Sequence, residues 1–478
     1  MRPAASLRDL RFLSALLVAL VGTSLAAGEA RAACEARATS ETRASSPPFS
    51  WQWDAGPAWL RDAAMPGTAW PDLPASAPEL AIHSSEIEGG DAAAWRNHEG
   101  DPAHDGMHAT LEAGGRARVG RRVTIRFRPR AIAWESGARV SWLEANAAVR
   151  AGPASLEAGR TRLWLGPARH GSLLLSTNAH PLDLVHLRLA GSTPARIPAL
   201  PDLASLGGGA AVAFLTDARR DYPNPDLGVL YLRSQWSTWL AIDVYRTLLF
   251  AGEGRGFRVG WTSLGDLLAA RDENGPGGAE NPSDQIAAAA VEVRVDALLA
   301  ANRGRSPRED GGAWIYYEYA GEDNLRRFKL RDRGITMGAR WTRREWDFTA
   351  EYARNHDNPA IWYAHSVYTS GYTYRGTILG HHMGGDAQDF AMSAAAPLPG
   401  GRRARVFGER RDALFESQRR HSEEWTLGGS VENVWRSGRA AVSTDLLFRW
   451  GRRYPIATLG PIERARASVR VAWRLGGT

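Results

Sequence analysis

The sequence predicts an all-β protein, a large transmembrane antiparallel β-barrel of about 18 strands that follows a small, partly helical N-terminal segment. Three observations lead to this prediction. Short segments with alternating apolar and polar residues recur over residues 108–478. Their polar face is often charged along the whole chain, which indicates one continuous polar interior. Aromatic residues often stand at the ends of these segments, as at Trp341, Trp346 and Trp450, where a barrel carries its interfacial girdles.

The first 32 residues are typical of a secretory signal peptide. Arg2, Arg8 and Arg11 form a basic start, residues 12–27 are apolar, and Ala30-Arg31-Ala32 is a small-x-small cleavage site. The apolar run is short for a membrane-spanning helix, and no other stretch is apolar enough to form one. We therefore expect the chain to be exported.

Composition limits the kinds of partner that this chain can have. Cys34 is the only cysteine, which excludes an intrachain disulfide and a cluster of thiolate metal ligands. All but one of the 59 Lys and Arg residues are arginine, and the formal net charge is +7 at pH 7. Arginine suits carboxylates and phosphates, so this balance favours acidic glycans or lipid headgroups over nucleic acid. A genomic bias toward arginine accounts for the composition about equally well, and a basic pI identifies no particular partner.

Residues 33–107 show no strong pattern. Ser45–Pro48 indicates a linker, and Trp51–Trp53 opens a more ordered part. Short helices are conceivable at Ser84–Glu88 and Ala92–Trp95, although neither is long or strongly periodic. We therefore assign residues 33–107 to a separate N-terminal segment that is partly helical.

Residues 108–478 form the predicted barrel. A period of two is typical of strands, and in a barrel the apolar face meets lipid while the charged face lines the lumen. At roughly 20 residues per strand with its loop, this length makes about 18 strands. A large secreted β-protein is the alternative to a barrel. The alternation is clearest in these segments: Val123–Arg128, Leu240–Tyr245, Val291–Asp296, Ile335–Thr342, Trp346–Ala353, Val442–Trp450 and Ala467–Arg474.

Two stretches rich in glycine, aromatic and polar residues interrupt this alternation. Gly159–Pro181 combines the turn Gly166-Pro167 with a run of small and apolar residues. It contains neither the GxxxxGK[ST] phosphate loop nor the GxSxG elbow of serine hydrolases. Tyr372–Asp386 is a glycine-hinged stretch that is dense in aromatic residues, Arg, His and Asp. Both stretches are therefore candidate binding regions without a known catalytic motif.

Both stretches resemble the Wzi family of outer-membrane capsule assembly proteins. The first follows the family's order of Gly-Arg, Trp-x-Gly-Pro, Gly-Ser-Leu-x-Leu-Ser-x-Asn-Ala and Pro, and the second follows its Tyr-Arg-Gly, Gly-His and Gly-Gly-Asp. The resemblance covers most of the chain from about Trp51 onward. It implies a barrel of the Gram-negative outer membrane, with a periplasmic helical segment in front of it.

The resemblance also implies a function. The protein would act as a lectin that attaches capsular or exopolysaccharide to the cell surface and helps capsule assembly. Its partners would be the polysaccharide, outer-membrane lipid and components of the polysaccharide export machinery, with no nucleic acid. No cofactor and no covalent chemistry are implied, so we do not expect an enzyme.

Seven residues of the two stretches are candidate glycan ligands. Aromatic rings stack on the CH faces of sugars, planar polar groups bind hydroxyl groups, and arginine suits acidic sugars. The alternative is that both stretches are structural loops that fold into the barrel mouth and satisfy their own hydrogen bonds. The candidates are Trp164, Arg169, Asn178, Tyr372, Tyr374, Arg375 and Asp386.

We predict no metal site from the sequence. His381 and His382, with His365 and Asp386 nearby, suggest a ligand set, but no spaced motif such as HExxH is present. Adjacent residues on an extended chain also point in opposite directions, so His381 and His382 would not share a ligand.

Two rival functions remain open at this point. A porin-like channel could pass anionic saccharides through an arginine-rich lumen. An outer-membrane hydrolase could use Ser172 or the carboxylates of Glu318, Glu322 and Asp323. Since no nucleophile and base form a recognisable set, carboxylates that pair with lumen arginines are the favoured interpretation.

Overall fold

The computed structural model describes residues 79–89, 100, 108–120, 122–189, 203–255, 283–307, 310–322, 333–355, 362–400, 402–415, 420–437, 440–453 and 462–475. Within these ranges the chain forms strands and one helix of 7 residues, α1 (Val295–Ala301). No helix of the described residues is long and apolar enough to cross a membrane. The strands are β1 (Glu79–Gly89), β2 (His108–Val119), β3 (Val123–Trp134), β4 (Gly137–Ala151), β5 (Ala154–Thr161), β6 (Leu182–Leu189), β7 (Leu203–Phe214), β8 (Asp226–Trp236), β9 (Leu240–Phe250), β10 (Ser283–Arg294), β11 (Gly311–Glu322), β12 (Arg333–Arg343), β13 (Trp346–Arg354), β14 (Thr373–Tyr374), β15 (Thr377–Ile378), β16 (Ala387–Leu398), β17 (Arg402–Phe415), β18 (Arg420–Ser437), β19 (Ala440–Arg453) and β20 (Ile462–Leu475).

An 18-stranded antiparallel sheet closes on itself to form a barrel. Each strand pairs with the next along the chain, except that β14 and β15 form a separate hairpin and β13 pairs directly with β16. Closure comes from β20 and β1, which place Leu475 opposite Leu80 and Val469 opposite Ile87. A closed sheet leaves no unpaired backbone at an edge, as a lipid environment requires. The predicted antiparallel barrel of about 18 strands is confirmed.

The barrel wall is apolar outside and polar inside. In β9, Asp243 and Tyr245 are 2% and 3% exposed, whereas Val244 between them is 45% exposed. The alternation in β13 likewise exposes Phe348 and buries Glu351. A soluble sandwich would instead bury its apolar faces between two sheets, so this wall is that of a transmembrane barrel. Large apolar residues exposed on the outer face occur around the wall: Val140, Trp142, Val149, Leu156, Val185, Leu187, Val212, Phe214, Leu232, Val291, Ile315, Tyr317, Met337, Trp341, Phe390, Met392, Val406 and Leu427.

The barrel begins at Glu79, earlier than the predicted boundary at residue 108. Ser84–Glu88, for which a helix was conceivable, lies in β1. The pairing of β1 with β2 shifts register between His83 and Ser85. This bulge interrupts the alternation that identifies a strand, which is why the sequence pattern did not reveal it. The predicted signal peptide and the rest of the predicted helical segment before Glu79 lie outside the described residues.

The longest connections start from one rim. Because neighbouring strands are antiparallel, successive connections alternate between the two rims. The connections that follow β5, β7, β9 and β13 all leave the barrel at the same rim, whereas the opposite rim has short turns such as 344–345 besides the connection that carries α1. In outer-membrane barrels, short turns are periplasmic and longer loops are extracellular. We call the rim with the long connections the outer rim.

Candidate functional site

Two connections of the outer rim fold inward and fill part of the lumen. The first inner segment, residues 162–181, joins β5 to β6, and the second inner segment, residues 362–386, precedes β16. Their leucine and tyrosine side chains form one buried cluster with residues of the wall such as Leu184, Ala213 and Ala288. The hydrophobic core therefore lies inside the lumen, and both motif-rich stretches belong to it.

Hydrogen bonds join the first inner segment to the second. The backbone N–H of Ser176 donates to the carbonyl of Leu379 at 2.9 Å, and its hydroxyl donates to the carbonyl of Gly380 at 2.6 Å. The side-chain amide of Asn178 donates to the carbonyl of Ile378 at 3.0 Å. Side chains of the Ser-x-Asn motif thus donate hydrogen bonds to backbone carbonyls of the second segment. These bonds restrict movement of one segment relative to the other.

Two motif glycines permit this close approach. A Cβ at Gly171 would lie 2.3 Å from the ring of His381, and a Cβ at Gly380 would lie 2.3 Å from the carbonyl oxygen of Leu173. Real Cβ atoms essentially never come so close, so any larger residue forces the segments apart. The glycines of both motifs therefore serve the packing of one segment on the other.

Tyrosines form the centre of the second inner segment. The rings of Tyr363 and Tyr372 are stacked with centroids 5.9 Å apart. The hydroxyl of Tyr363 donates to the carbonyl of Leu173 at 2.5 Å and accepts from the backbone N–H of His381 at 2.8 Å. A single side chain thus connects both inner segments, and the aromatic content of this stretch is largely used for packing.

A third connection of the outer rim, residues 215–225, ties down the second inner segment. The guanidinium of Arg219 donates to the carbonyls of Gly371 at 2.7 Å and Thr373 at 2.8 Å, and to Asp221. Burial alone would raise the pKa of Asp221, but the hydrogen bonds from Arg219 and from the backbone N–H of Ser370 bring it well below its ordinary value. Arg219 and Asp221 therefore form a charged clamp on the second segment.

Polar side chains in β13 and directly after it hold both inner segments from the other side. Glu351 of β13 accepts hydrogen bonds from the backbone N–H groups of Arg169 and His170, and from the hydroxyl of Tyr316. The side chain of Asn355 similarly donates to the carbonyl of Gly384 at 2.5 Å. An acidic residue at an inward-facing strand position was the sequence feature that could have indicated such an anchor.

Four of the seven predicted binding residues are buried. Trp164, Tyr372, Tyr374 and Asp386 all lie within the packed inner segments. The indole N–H of Trp164 donates to the carbonyl of Ala168 at 3.0 Å, so it closes a turn of its own segment. In this arrangement the rings of Trp164, Tyr372 and Tyr374 offer no open face on which a sugar could stack.

The other three predicted residues reach solvent. Arg169 and Asn178 are partly exposed, and Arg375 is exposed. The guanidinium carbon of Arg375 lies 5.1 Å from the ring centroid of Tyr374, and its backbone N–H donates to Asp217 at 2.7 Å. Buried Tyr374 therefore supports the exposed charge of Arg375.

Arginines surround His180 near the outer rim. Burial lowers the pKa of His180 to about 3, and the charges of Arg375, Arg139 and Arg160 act in the same direction. Arg139 and Arg160 stand at the ends of β4 and β5 that meet this rim. Arg160 is paired with Asp183 through a hydrogen bond of 2.8 Å. The positive charge is thus concentrated around Arg139 and Arg375.

The histidines of the second inner segment are arranged differently from the sequence expectation. The rings of His381 and His382 are stacked, with centroids 4.5 Å apart, and do not point in opposite directions. The reason is that the chain turns here, since the N–H of Gly384 donates to the carbonyl of His381 at 3.1 Å. His365 instead accepts hydrogen bonds from the backbone N–H groups of Val367 and Tyr368.

His382 belongs to a group that the sequence did not indicate. Its Nε2 lies 3.2 Å from Asp389 Oδ2 and 3.3 Å from Glu409 Oε1, and His170 Nε2 lies 3.6 Å from each of these two carboxylates. Burial lowers the pKa of His382 well below its ordinary value, and the neighbouring His381 acts in the same direction. Within the described part of the chain, these four side chains are the group of histidines and carboxylates compact enough to hold a metal ion.

The chain is similar to proteins of known family and structure. The family described as "Capsule assembly protein Wzi" matches residues 84–412. Wzi of Escherichia coli, described as an outer-membrane protein involved in group 1 capsule assembly and as a carbohydrate-binding β-barrel, shares 15% identity at a TM-score of 0.62 over 82% of this chain and 83% of that one.

A second solved structure shares the architecture less closely. OccK2 (OpdF) of Pseudomonas aeruginosa has 9% identity and a TM-score of 0.50 over 84% of this chain and 98% of that one. No protein in the curated set matches this chain. At these identities, the solved structures establish the barrel fold alone.

Proposed function

Because the chain belongs to the Wzi family of capsule assembly proteins, we propose that it is an outer-membrane lectin that attaches capsular or exopolysaccharide to the cell surface. The protein would hold the polymer at the outer rim and so help capsule assembly, next to the polysaccharide export machinery. The carbohydrate binding of the structurally similar Escherichia coli Wzi supports this proposal. Binding requires no cofactor and no covalent step.

The arginines at the outer rim are the observation that carries the proposal. Arg139, Arg160 and Arg375 act together on His180, which locates a positive field beside the inner segments. Guanidinium groups bind carboxylates in a planar, two-pronged geometry, so this field suits a polymer with acidic sugars. The electrostatic attraction would also concentrate the polymer at this rim.

The seven predicted residues divide into two roles in this proposal. Arg375, Arg169 and Asn178 reach solvent and would contact the polysaccharide. Trp164, Tyr372, Tyr374 and Asp386 are buried and would position the segments that carry these contacts. Packed segments would hold the contacting side chains in fixed positions. Less conformational entropy would then be lost on binding than if the same side chains stood on free loops.

The described structure favours binding over hydrolysis. Ser172 is 0% exposed and its hydroxyl donates to the carbonyl of Leu165, so it is not available to attack a substrate. Glu318 is also 0% exposed and lies behind Gly166. Of the other carboxylates considered, the side chain of Glu322 and the whole of Asp323 lie outside the described residues.

The proposal is tested by the partition of polysaccharide between cells and medium. Deletion of the gene should move polymer from the cells to the medium while total synthesis stays constant. Arg375→Ala combined with Arg139→Ala should reproduce part of this shift, because each exposed charge contributes roughly a tenfold change in affinity at most. Raising the salt concentration should weaken retention by the wild type, since exposed charges are screened.

Arg303→Ala is the matched control, because Arg303 is an exposed arginine on the connection between α1 and β11 at the opposite rim. Its retention of polymer should equal that of the wild type. An unchanged partition in the deletion strain would refute attachment. A normal partition in the double arginine variant would refute the role of the rim arginines but not the attachment itself.

A further inference from the structure

Four side chains from separate parts of the chain meet at one point inside the barrel. His170 comes from the first inner segment, His382 from the second, Asp389 from β16 and Glu409 from β17. One ligand atom of each residue lies within 4.8 Å of the others. We propose that these residues form a binding site for a divalent transition metal ion, for which zinc is the best match. The site is independent of the proposed attachment of polysaccharide.

The distances between the ligand atoms fit a tetrahedral ion. The four contacts between histidine nitrogens and carboxylate oxygens span 3.2 to 3.6 Å. In a tetrahedral zinc site with bonds of about 2.0–2.2 Å, neighbouring ligand atoms are roughly 3.4 Å apart. The four contacts are close to this spacing, but Asp389 presents a different oxygen to each histidine, so the side chains would adjust around a bound ion while the backbone stays in place.

Hydrogen bonds from His170 and His382 to Asp389 account for part of this arrangement. The Nε2 atoms of His170 and His382 each face both carboxylates, yet one Nε2 carries a single proton at most. The side chains of Asp389 and Glu409 are only 1% and 6% exposed, so their mutual repulsion is poorly screened by water. A divalent cation at the centre would offset both charges and use all four ligand atoms.

The chemistry of the ligands indicates which ion would bind. Calcium and magnesium prefer six or more oxygen ligands, whereas imidazole nitrogen suits zinc and neighbouring transition metals. Histidine nitrogen and carboxylate oxygen are both ligands that zinc accepts, and structural zinc is tetrahedral. With four protein ligands the ion would be structural, because a catalytic zinc keeps one position open for water or substrate.

A metal at this position would fasten both inner segments to the wall. His170 adjoins Arg169, whose backbone is already held by Glu351, and His382 lies in the turn that follows Gly380. The side chain of His170 is 28% exposed, but its Nε2 is buried among the other ligand atoms. Zinc would therefore stabilise the packed segments that fill the lumen.

The test uses the folded full-length barrel without a histidine tag, freed of metal by a chelator and then titrated with zinc. We expect one zinc ion per chain and a higher melting temperature after zinc addition. Glu409→Gln and His382→Gln should each lower zinc affinity at least tenfold, since a ligand is lost while the size of the side chain is nearly kept. Cobalt in the same site should show the strong visible absorption of tetrahedral coordination.

His365→Gln is the matched control, because His365 is a partly buried histidine of the same segment that lies outside the group of four. It should bind zinc as the wild type does. Heat-dependent mobility on gels verifies that each variant is folded, and Asp389→Asn replaces any variant that is not. The proposal is wrong if the wild type does not bind zinc stoichiometrically, or if folded variants of the four ligands bind it as tightly as the wild type.

Discussion

At the scale of single residues, the packing of the two inner segments requires glycine at two positions, because a Cβ there would clash with the other segment. Gly171 leaves room for the ring of His381, and Gly380 leaves room for the carbonyl of Leu173. Both glycines belong to the motifs that identify the family. These motif residues therefore serve mainly the packing of the two segments and contribute less to direct contacts with a ligand.

The pKa of His180 gives a prediction at the same scale. Burial and the nearby Arg375 lower this pKa from its ordinary value of 6.5 to about 3 in the folded protein. The unfolded chain takes up a proton between these two values and the folded chain does not, so stability is fully present above pH 6.5 and is lost as the pH falls toward 3.

His180→Gln should remove this contribution. Urea unfolding in detergent should show wild-type stability falling on the order of 1–3 kcal/mol more steeply than that of the variant between pH 7 and pH 4. The comparison isolates His180 because all other titrating groups are the same in both chains. Parallel pH profiles would show that His180 is not held neutral by its surroundings.

At the scale of elements, the clamp from residues 215–225 decides whether the second inner segment stays packed. Arg219 joins the carbonyls of Gly371 and Thr373 to Asp221 with one buried guanidinium. Hydrogen bonds to charged groups contribute about 1.5–3 kcal/mol each, and removal of one partner leaves Asp221 buried without its counter-charge.

Arg219→Met should therefore loosen the second inner segment without opening the barrel. If local opening becomes easier by about 3 kcal/mol, chymotrypsin should cleave at the tyrosines of this segment roughly 100-fold faster. Arg220→Met is the control, since Arg220 is exposed and its loss should leave the cleavage rate unchanged. Equal cleavage of the two variants would argue against a clamp.

At the scale of the whole molecule, the inner segments distinguish this barrel from an open pore. They pack against inward-facing residues of β6, β7 and β10, among them Leu184, Ala213 and Ala288. We expect a lumen that is partly filled in this way to resist the passage of ions, although the wall resembles that of OccK2. The resemblance to OccK2 therefore concerns the architecture of the wall alone.

We expect a low single-channel conductance for the intact protein in planar bilayers. Replacement of residues 366–380 by a short glycine-serine linker should raise the conductance severalfold, because it removes part of the material that fills the lumen. Heat-dependent mobility on gels controls for folding of the variant barrel. A high conductance of the wild type would instead support the porin-like alternative.

Much of the architecture could be predicted from local patterns. Strands such as β9 and β13 alternate cleanly because one face meets lipid and the other the lumen, and this contrast repeats every two residues. The alternation did not predict β1, because the register shift between His83 and Ser85 breaks the period of two. The family motifs were equally visible, since the sequence retains the glycines and prolines that the inner segments need.

The placement of the site depended on contacts between distant parts of the chain. Trp164 and Tyr372 have the composition of sugar-binding residues, but both inner segments turn inward and bury them. His170, His382, Asp389 and Glu409 come together only because a closed barrel brings two connections against two adjacent strands.

The sequence by itself determined that this chain forms strands, that they are apolar on one face, and which family its motifs resemble. These properties follow from the alternation and order of neighbouring residues. Only the tertiary structure decided which motif residues reach solvent and which side chains share a point in the lumen. The physical reason is that burial and ligand geometry are set by the closure of the barrel and by the packing of segments far apart in the chain.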